Sequence, residues 1–142
     1  MGVLADNREA LRTAMFQLSQ DSEPMRGILL YGEGDVVPPN YDEQQRSAIW
    51  VRALIKPTER GEEYMGGDYQ QLATLDFEIG SPREAAARRD AIADALDDRF
   101  TNTHIGRVVV ESPRSRTEPD QTAARTWYST ELSFDAWWDA EA

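Results

Sequence analysis

Residues 72–100 read LATLDFEIGSPREAAARRDAIADALDDRF, and this stretch decides the fold. Apolar and polar side chains alternate over its first eight residues, the period-2 pattern of a strand with one buried face. The apolar positions are Ala73, Leu75, Phe77 and Ile79. Gly80 ends this pattern, and Ser81-Pro82-Arg83-Glu84 then fits an N-cap with a capping box. The sequence therefore predicts a strand, a tight corner and a helix.

The helix that follows the corner has one apolar stripe and one solvent-facing side. Four apolar residues recur at spacings of seven, four and four, which places them on one face of an α-helix. They are Ala85, Ile92, Leu96 and Phe100. We therefore expect the helix to pack on a sheet through this stripe.

The flanking sequence predicts the remaining elements of that sheet. A first helix opens at Asp6 and ends near Gln20, with an apolar stripe that includes Leu11 and Met15. Period-2 alternation or short apolar runs then predict strands. Those strands cover residues 27–31, 46–56, 105–110 and 127–134.

Three polar segments connect or follow these elements. We expect long loops over residues 56–71 and 112–125 and a short acidic C-terminal tail over 135–142, which carries Trp137 and Trp138. Because strands joined by loops tend to pair antiparallel, the expected fold is a single α+β domain over residues 1–142. It has an antiparallel sheet of about four strands with two helices packed on one face.

Composition excludes several classes of protein. The net charge of −11 disfavours a chain that holds nucleic acid through its overall field, since phosphate binding needs cationic side chains. No cysteine is present, so disulfide frameworks, thiolate zinc sites and cysteine nucleophiles are excluded. The sequence shows neither an apolar run of membrane-spanning length nor the pattern of a signal peptide. We expect a protein made in the cytoplasm and not bound to membranes.

Catalytic groups are sparse. His104 is the only histidine and follows the end of a predicted helix, where helix-dipole stabilisation explains it better than catalysis. Asp94 and Asp98 share a helix face, but on an acidic protein such a pair is typical of a solvated surface. No glycine-rich phosphate loop or serine nucleophile elbow is present. We therefore predict no enzyme activity, no metal site and no cofactor.

Aromatic residues and arginines are the more informative group, because these residue types anchor protein interfaces. Trp50 and Leu54 lie on the side of the strand over 46–56 that the alternation would place in solvent, which indicates that both faces of this strand are covered. Other members fall in predicted loops or near the C-terminus. The full set of candidate interface residues is Trp50, Arg52, Leu54, Tyr64, Tyr69, Arg114, Arg116, Arg125, Trp127, Trp137 and Trp138.

The order and spacing of these elements resemble the tail terminator proteins of tailed phages across nearly the whole chain. The similarity includes the helix that starts at residues 7–11, the strand over 50–55 and the glycine-rich loop around Gly66-Gly67. It continues through Leu75-Asp76-Phe77-Glu78-Ile79, the corner Gly80-Ser81-Pro82, the helix end over 96–100 and the closing strand over 127–134.

This resemblance implies a structural virion protein of the tail and neck. Members form a ring, expected here to be a homo-hexamer, that caps the tail tube, stops its polymerisation and joins it to the head-neck connector or stopper protein. The implied partners are further copies of the chain, the tail tube protein and the connector, while DNA passes through the lumen without specific binding. Two alternatives stay open: another neck or tail-tube ring protein of the same machine, and a small dimeric α+β binding or adaptor module of cellular origin.

Overall fold

The computed structural model describes residues 3–33, 49–118 and 127–141. Two helices and six strands follow one another in these ranges. They are α1 (Val3–Asp21), β1 (Leu29–Tyr31), β2 (Trp50–Glu63), β3 (Tyr69–Pro82), α2 (Ala86–Phe100), β4 (Thr103–Ile105), β5 (Val108–Thr117) and β6 (Trp127–Ala140). Single turns of 3-10 helix at Glu23–Met25 and Arg83–Ala85 precede β1 and α2. The chain is α+β, as its sequence predicts.

The described strands form one mixed sheet in the order β1-β2-β3-β6-β5-β4. β1 runs parallel to β2, and every other neighbouring pair is antiparallel. The antiparallel pairing expected from the sequence is therefore confirmed for four of the five described strand pairs, while the sheet has six strands instead of about four and β1 is parallel. A long connection separates β1 from β2, which permits the parallel pairing that a hairpin cannot make.

A tight turn accounts for one of the additional strands. The predicted strand over 105–110 is divided at Gly106-Arg107, and β4 turns back there onto β5. Gly106 adopts a φ of 58°, a left-handed conformation that glycine accepts without steric cost. The run of apolar residues hides this turn, because Ile105 and Val108 both point to the core from opposite sides of it.

One core lies between the sheet and the two helices. Leu11 and Met15 of α1 and the apolar stripe of α2 pack with the inward side chains of the central strands. At the centre, the Phe77 ring stacks on Phe100 at a centroid distance of 5.1 Å and meets Phe134 edge-on at 5.9 Å. The predicted stripe of α2 is confirmed for Ile92, Leu96 and Phe100, which are fully buried.

The strands are much longer than the sequence pattern predicts. The expected loop over 56–71 is wrong, since β2 continues to Glu63, β3 begins at Tyr69, and only 64–68 form the turn. β5 likewise runs to Thr117, inside the expected loop over 112–125, whose residues 119–126 lie outside the described ranges. The expected tail is strand as far as Ala140. Backbone pairing with neighbouring strands extends β2, β5 and β6, because ladder hydrogen bonds do not require alternating apolar side chains.

The corner after β3 also differs from its predicted form. Ser81 is not a helix cap: it is still in β3, fully buried, and accepts a hydrogen bond from Arg89 Nη1 at 2.8 Å. Its hydroxyl donates to the Pro82 carbonyl at 3.0 Å. Helix α2 starts without a side-chain cap. Arg89 lies on the apolar stripe of α2, so the helix directs its guanidinium toward the core. There the guanidinium donates the hydrogen bond to Ser81.

Gly80 is required by close packing in the sheet. It pairs with Trp50 across β2 and β3, and a Cβ atom at residue 80 would overlap the indole ring of Trp50. We expect Gly80→Ala to lower the free energy of unfolding by about 2 kcal/mol, because a rigid buried ring has little room to move. Urea unfolding of wild type and Gly80→Ala measures this difference. Equal unfolding midpoints for wild type and Gly80→Ala would contradict the packing.

Candidate functional site

The face of the sheet opposite the helices carries a cluster of charged side chains from three neighbouring strands. We call it the outer sheet face, and it is formed by Arg52, Leu54, Lys56, Thr74, Asp76, Glu78, Glu131, Ser133, Asp135 and Trp137. These residues alternate along β2, β3 and β6 with the buried residues of the core. Strand register arranges them in rows across the sheet, so that Arg52, Glu78 and Glu131 form one row and Leu54, Asp76 and Ser133 the next.

Ion pairs and hydrogen bonds hold this face together. Arg52 Nη2 lies 3.5 Å from Glu78 Oε1, and Lys56 Nζ lies 3.4 Å from Asp76 Oδ2. Ser133 Oγ donates to the other oxygen of Asp76 at 2.5 Å. A shallow groove of about 220 Å³ runs over these residues and reaches Ser115 and Thr117 of β5. The groove is polar and almost charge-balanced, which suits a wet protein contact better than an apolar ligand.

Glu78 is electrostatically unusual. Burial raises the pKa of its carboxyl above the usual range, Arg52 opposes the rise, and Glu131 directly across on β6 adds to it. Two carboxylates opposite each other on neighbouring strands repel, so the folded chain holds a proton on Glu78 more readily than the unfolded chain does.

This shift predicts a pH dependence of stability. Because the folded-state pKa is raised, the contribution of Glu78 to stability is most favourable below its ordinary pKa of about 4.3 and declines as the pH rises through the raised value. Replacing Glu78 by glutamine removes the titration. We expect the free energy of unfolding of wild type, minus that of Glu78→Gln, to decrease as the pH rises from about 4 to 7. Urea unfolding at several pH values measures the difference.

The control for this experiment is Glu63→Gln, which makes the same charge change at an exposed end of β2. Its stability curve should run parallel to that of wild type over the window in which the Glu78→Gln curve diverges. A constant difference between wild type and Glu78→Gln would show that Glu78 does not carry the pH dependence.

The outer sheet face gathers only part of the predicted interface set. Arg52, Leu54 and Trp137 lie there, all partly buried. Trp50 is 1% exposed and packs edge-on against Tyr31, with ring centroids 6.3 Å apart. Trp50 is therefore not available as the interface residue that the sequence predicted, since the single chain already covers this side chain. Trp138, 4% exposed, belongs to the core.

A second group of predicted residues surrounds the β2–β3 turn. We call residues 64–68 the hairpin tip. Tyr64 donates its hydroxyl to Asp139 Oδ1 at 2.9 Å, and this bond raises the pKa of Tyr64. Tyr69 lies under the guanidinium of Arg60, 4.0 Å from the ring centroid. Met65, at the apex, is 100% exposed. The hairpin tip is therefore an anchored turn that presents a long apolar side chain.

The predicted arginines have partners within the chain. Arg114 lies 3.9 Å from Asp135. Arg116 donates to Asp94 at 3.0 Å and to Glu118 at 2.8 Å, and although burial lowers its pKa, these hydrogen bonds raise it overall. Arg116 thereby joins β5 to α2. Arg125 and the side chain of Trp127 lie outside the described part of the chain.

The candidate catalytic residues do not converge. His104 is exposed and lies in β4, where the sequence predicted a turn. Asp94 is engaged by Arg116. Within the described ranges, no three residues of the types that ligate metals are grouped closely enough to hold an ion. Also within these ranges, neither helix combines the length and apolar character needed to cross a bilayer.

A second concavity, which the sequence pattern did not predict, lies between α1 and the edge of the sheet. We call it the α1 pocket, and it measures about 240 Å³. Apolar side chains from α1, β1 and β2 line most of it: Leu11, Met15, Phe16, Leu30, Tyr31, Ala53 and Ile55. Arg8, Arg12 and Glu33 also line it. The one signal in the sequence that could have indicated the pocket is Phe16, a large aromatic residue off the apolar stripe of α1, and in the structure it is 61% exposed.

Comparison with known proteins identifies the fold and nothing more specific. No protein-family model matches the sequence, and no curated protein is significantly similar to it. Solved structures do match. One of them aligns over 99% of this chain and 98% of its own, with a TM-score of 0.64 and 16% identical residues. At that identity the agreement shows that the whole chain adopts an existing fold.

Proposed function

We propose that this protein is a structural virion component, a tail terminator of a tailed phage. In this role it forms a ring, expected to be hexameric, that caps the tail tube, stops tube polymerisation and joins the tube to the head-neck connector. The protein acts by binding other proteins, without catalysis or a cofactor, in the tail and neck of the particle. The proposal begins from the resemblance in element order and spacing described above.

The hairpin tip is the observation that supports this role best. Met65 is 100% exposed at the apex of a long antiparallel hairpin, and methionine is one of the residue types enriched at protein interfaces. Tyr64 and its bond to Asp139 hold the turn in place, so the apolar side chain is presented in a defined position. A ring subunit has two neighbours and two partner rings, and the hairpin tip, outer sheet face and α1 pocket offer it separate surfaces.

The negative net charge of the chain suits a ring through which DNA passes. With a net charge of −11, a ring of several copies would repel phosphate, and DNA could pass without adhering. The same acidic balance suits another neck or tail-tube ring protein, which stays the nearest alternative within the same machine.

The α1 pocket favours a second candidate of a different class. An apolar concavity of about 240 Å³ can accept a small ligand, as the binding site of a small dimeric α+β adaptor of cellular origin would. That candidate predicts a compact dimer whose mass does not change with protein concentration and whose ligand occupies the pocket.

The test combines mass measurement with tube assembly. The purified chain is weighed at several concentrations and then added to polymerising tail tube protein, and tube lengths are measured by electron microscopy. Rings in solution, or rings formed only on tube ends, together with shortened tubes, are the expected result. A dimer of constant mass that leaves tube length unchanged would reject the terminator role in favour of the adaptor.

A matched pair of variants shows whether the hairpin tip acts in capping. Met65→Ser changes only a side chain that is wholly in solvent, so the chain should fold as before and tubes should grow longer than with wild type. The control variant is His104→Ala, which changes an exposed residue on the edge strand β4, away from the hairpin tip. This variant should cap tubes normally.

A further inference from the structure

We infer that the hairpin tip of one copy inserts into the α1 pocket of the next copy, with Met65 as the inserted side chain. The occupant of the α1 pocket is thus a second copy of this chain. This inference adds a specific contact between subunits to the proposed ring. It rests on the proposed function in requiring that copies of the chain associate.

The conformation of the hairpin tip is suited to insertion into a pocket. Gly66 and Gly67 both take positive φ angles, 92° and 90°, which turn the chain sharply after Met65. Backbone bonds from Tyr64 N–H to the Asp68 carbonyl at 2.7 Å, and from Gly67 N–H to the Tyr64 carbonyl at 3.3 Å, hold the turn. Methionine is unbranched and adapts to irregular apolar cavities. The turn therefore loses little conformational entropy when Met65 becomes buried.

The α1 pocket has the size and chemistry to receive this side chain. Its walls are mainly aliphatic and aromatic, and its volume of about 240 Å³ exceeds the roughly 150 Å³ that admits a benzene-sized molecule to an apolar protein cavity. Phe16 stands beside it, 61% exposed, and would lose that exposure against an inserted hairpin. Methionine sulfur also packs favourably against aromatic rings.

Charges around the two surfaces are opposite in sign. Exposed acids flank the apex of the hairpin: Glu62, Glu63 and Asp68. Arg8 and Arg12 line the pocket, and Arg12 is exposed. Arg8 lies 3.9 Å from Glu33, a long and partly exposed ion pair that leaves its guanidinium able to attract a second acid. Complementary charge at the edge of an apolar contact selects orientation and speeds association.

A hairpin tip cannot fill the pocket of its own chain. Ile55 lines the pocket, and Glu63, eight positions further along the chain, ends β2 at a distance of roughly 25 Å for an extended strand. Contact between the two surfaces therefore joins different copies and is heterologous, since each copy supplies one tip and one pocket. Such contacts repeat head to tail and produce a ring when the rotation closes, which is the assembly that the proposed function needs.

Disulfide cross-linking tests the contact directly, because the wild-type chain contains no cysteine. Met65→Cys and Phe16→Cys are made as separate proteins and as one double variant, all at exposed positions. On mild oxidation, the mixture of single variants should give a cross-linked dimer that neither gives alone. The double variant should give a ladder of covalent oligomers that ends at the number of subunits in the ring.

Several outcomes would overturn the inference. Dimers from Met65→Cys alone or from Phe16→Cys alone would indicate a symmetric contact, and oligomers without the mixed cross-link would place the contact elsewhere. If the introduced thiol of monomeric Phe16→Cys did not react with a small thiol reagent, residues of the same chain would fill the pocket.

A charge exchange provides an independent measurement. Arg12→Glu should weaken self-association about tenfold, and adding Glu63→Arg in the same chain should restore most of it, because each contact then has opposite charges again. Failure of the second change to restore association would contradict the proposed pairing. Mixed cross-links without shortened tubes would reject the terminator role alone, whereas capped tubes without mixed cross-links would reject only this contact.

Discussion

Phe77→Ala is expected to lower the free energy of unfolding by about 3–5 kcal/mol. Phe77 is 1% exposed, and its ring contacts Phe100 of α2 and Phe134 of β6, so one side chain links the helix to two central strands. The large cost has two parts, the lost transfer of an aromatic ring from water and the cavity that a rigid sheet cannot close. Since domains of this size are stable by only about 5–15 kcal/mol, the variant should be close to unfolding at physiological temperature.

The matched control is Phe16→Ala, which makes the same change on the exposed side of α1. Its unfolding free energy should differ from wild type by less than about 0.5 kcal/mol, since most of the ring already faces water. Urea unfolding followed by tryptophan fluorescence measures both proteins. Comparable losses at the two positions would contradict the assignment of Phe77 to the centre of the core.

Thr130→Val is expected to lower the free energy of unfolding by about 3 kcal/mol, although the two side chains have nearly the same shape. Thr130 Oγ1 accepts a hydrogen bond from Arg89 Nε at 3.0 Å, and both residues are buried. Valine removes that acceptor and leaves part of a buried guanidinium without a partner, which costs far more than the bond itself contributes.

A double-mutant cycle separates this mechanism from simple repacking. In Arg89→Met the charge is gone, and Thr130 and Ser81 keep their bonds to Glu118 and to the Pro82 carbonyl, so the loss should be smaller, about 1 kcal/mol. Thr130→Val should cost little when added to Arg89→Met, because no guanidinium remains to be stranded. Additive losses in the double variant would show that Thr130 does not act through Arg89.

Much of the fold follows from periodicity. The alternation from Ala73 to Ile79 predicted β3 and its inward face, and the stripe of α2 predicted the side that packs on the sheet. Helix α1 was also predicted, with its start placed three residues late. These predictions succeed because burial of one face of a strand or helix imposes a period that local sequence displays directly.

The sequence predicted less of the candidate site than of the fold. Tyr64 and the turn at Gly66-Gly67 were identified, since glycine pairs and exposed aromatic residues have local meaning. The α1 pocket was missed because its walls come from three elements that meet only in the folded chain. Arg89 could have been found, as it lies three residues before Ile92 on the apolar stripe, yet an arginine there is usually read as a solvated residue.

The sequence by itself determined the α+β class, the inward faces of β3, α1 and α2, and the absence of cysteine chemistry, because each depends on residue type and period alone. Only the tertiary structure decided the length and direction of the strands, the burial of Trp50 over Gly80, the inward turn of Ser81 toward Arg89 and the pairing of Glu78 with Glu131. Each of these depends on a residue brought near by the fold from another element, and cross-strand register and burial are properties of pairs that no single stretch of sequence contains.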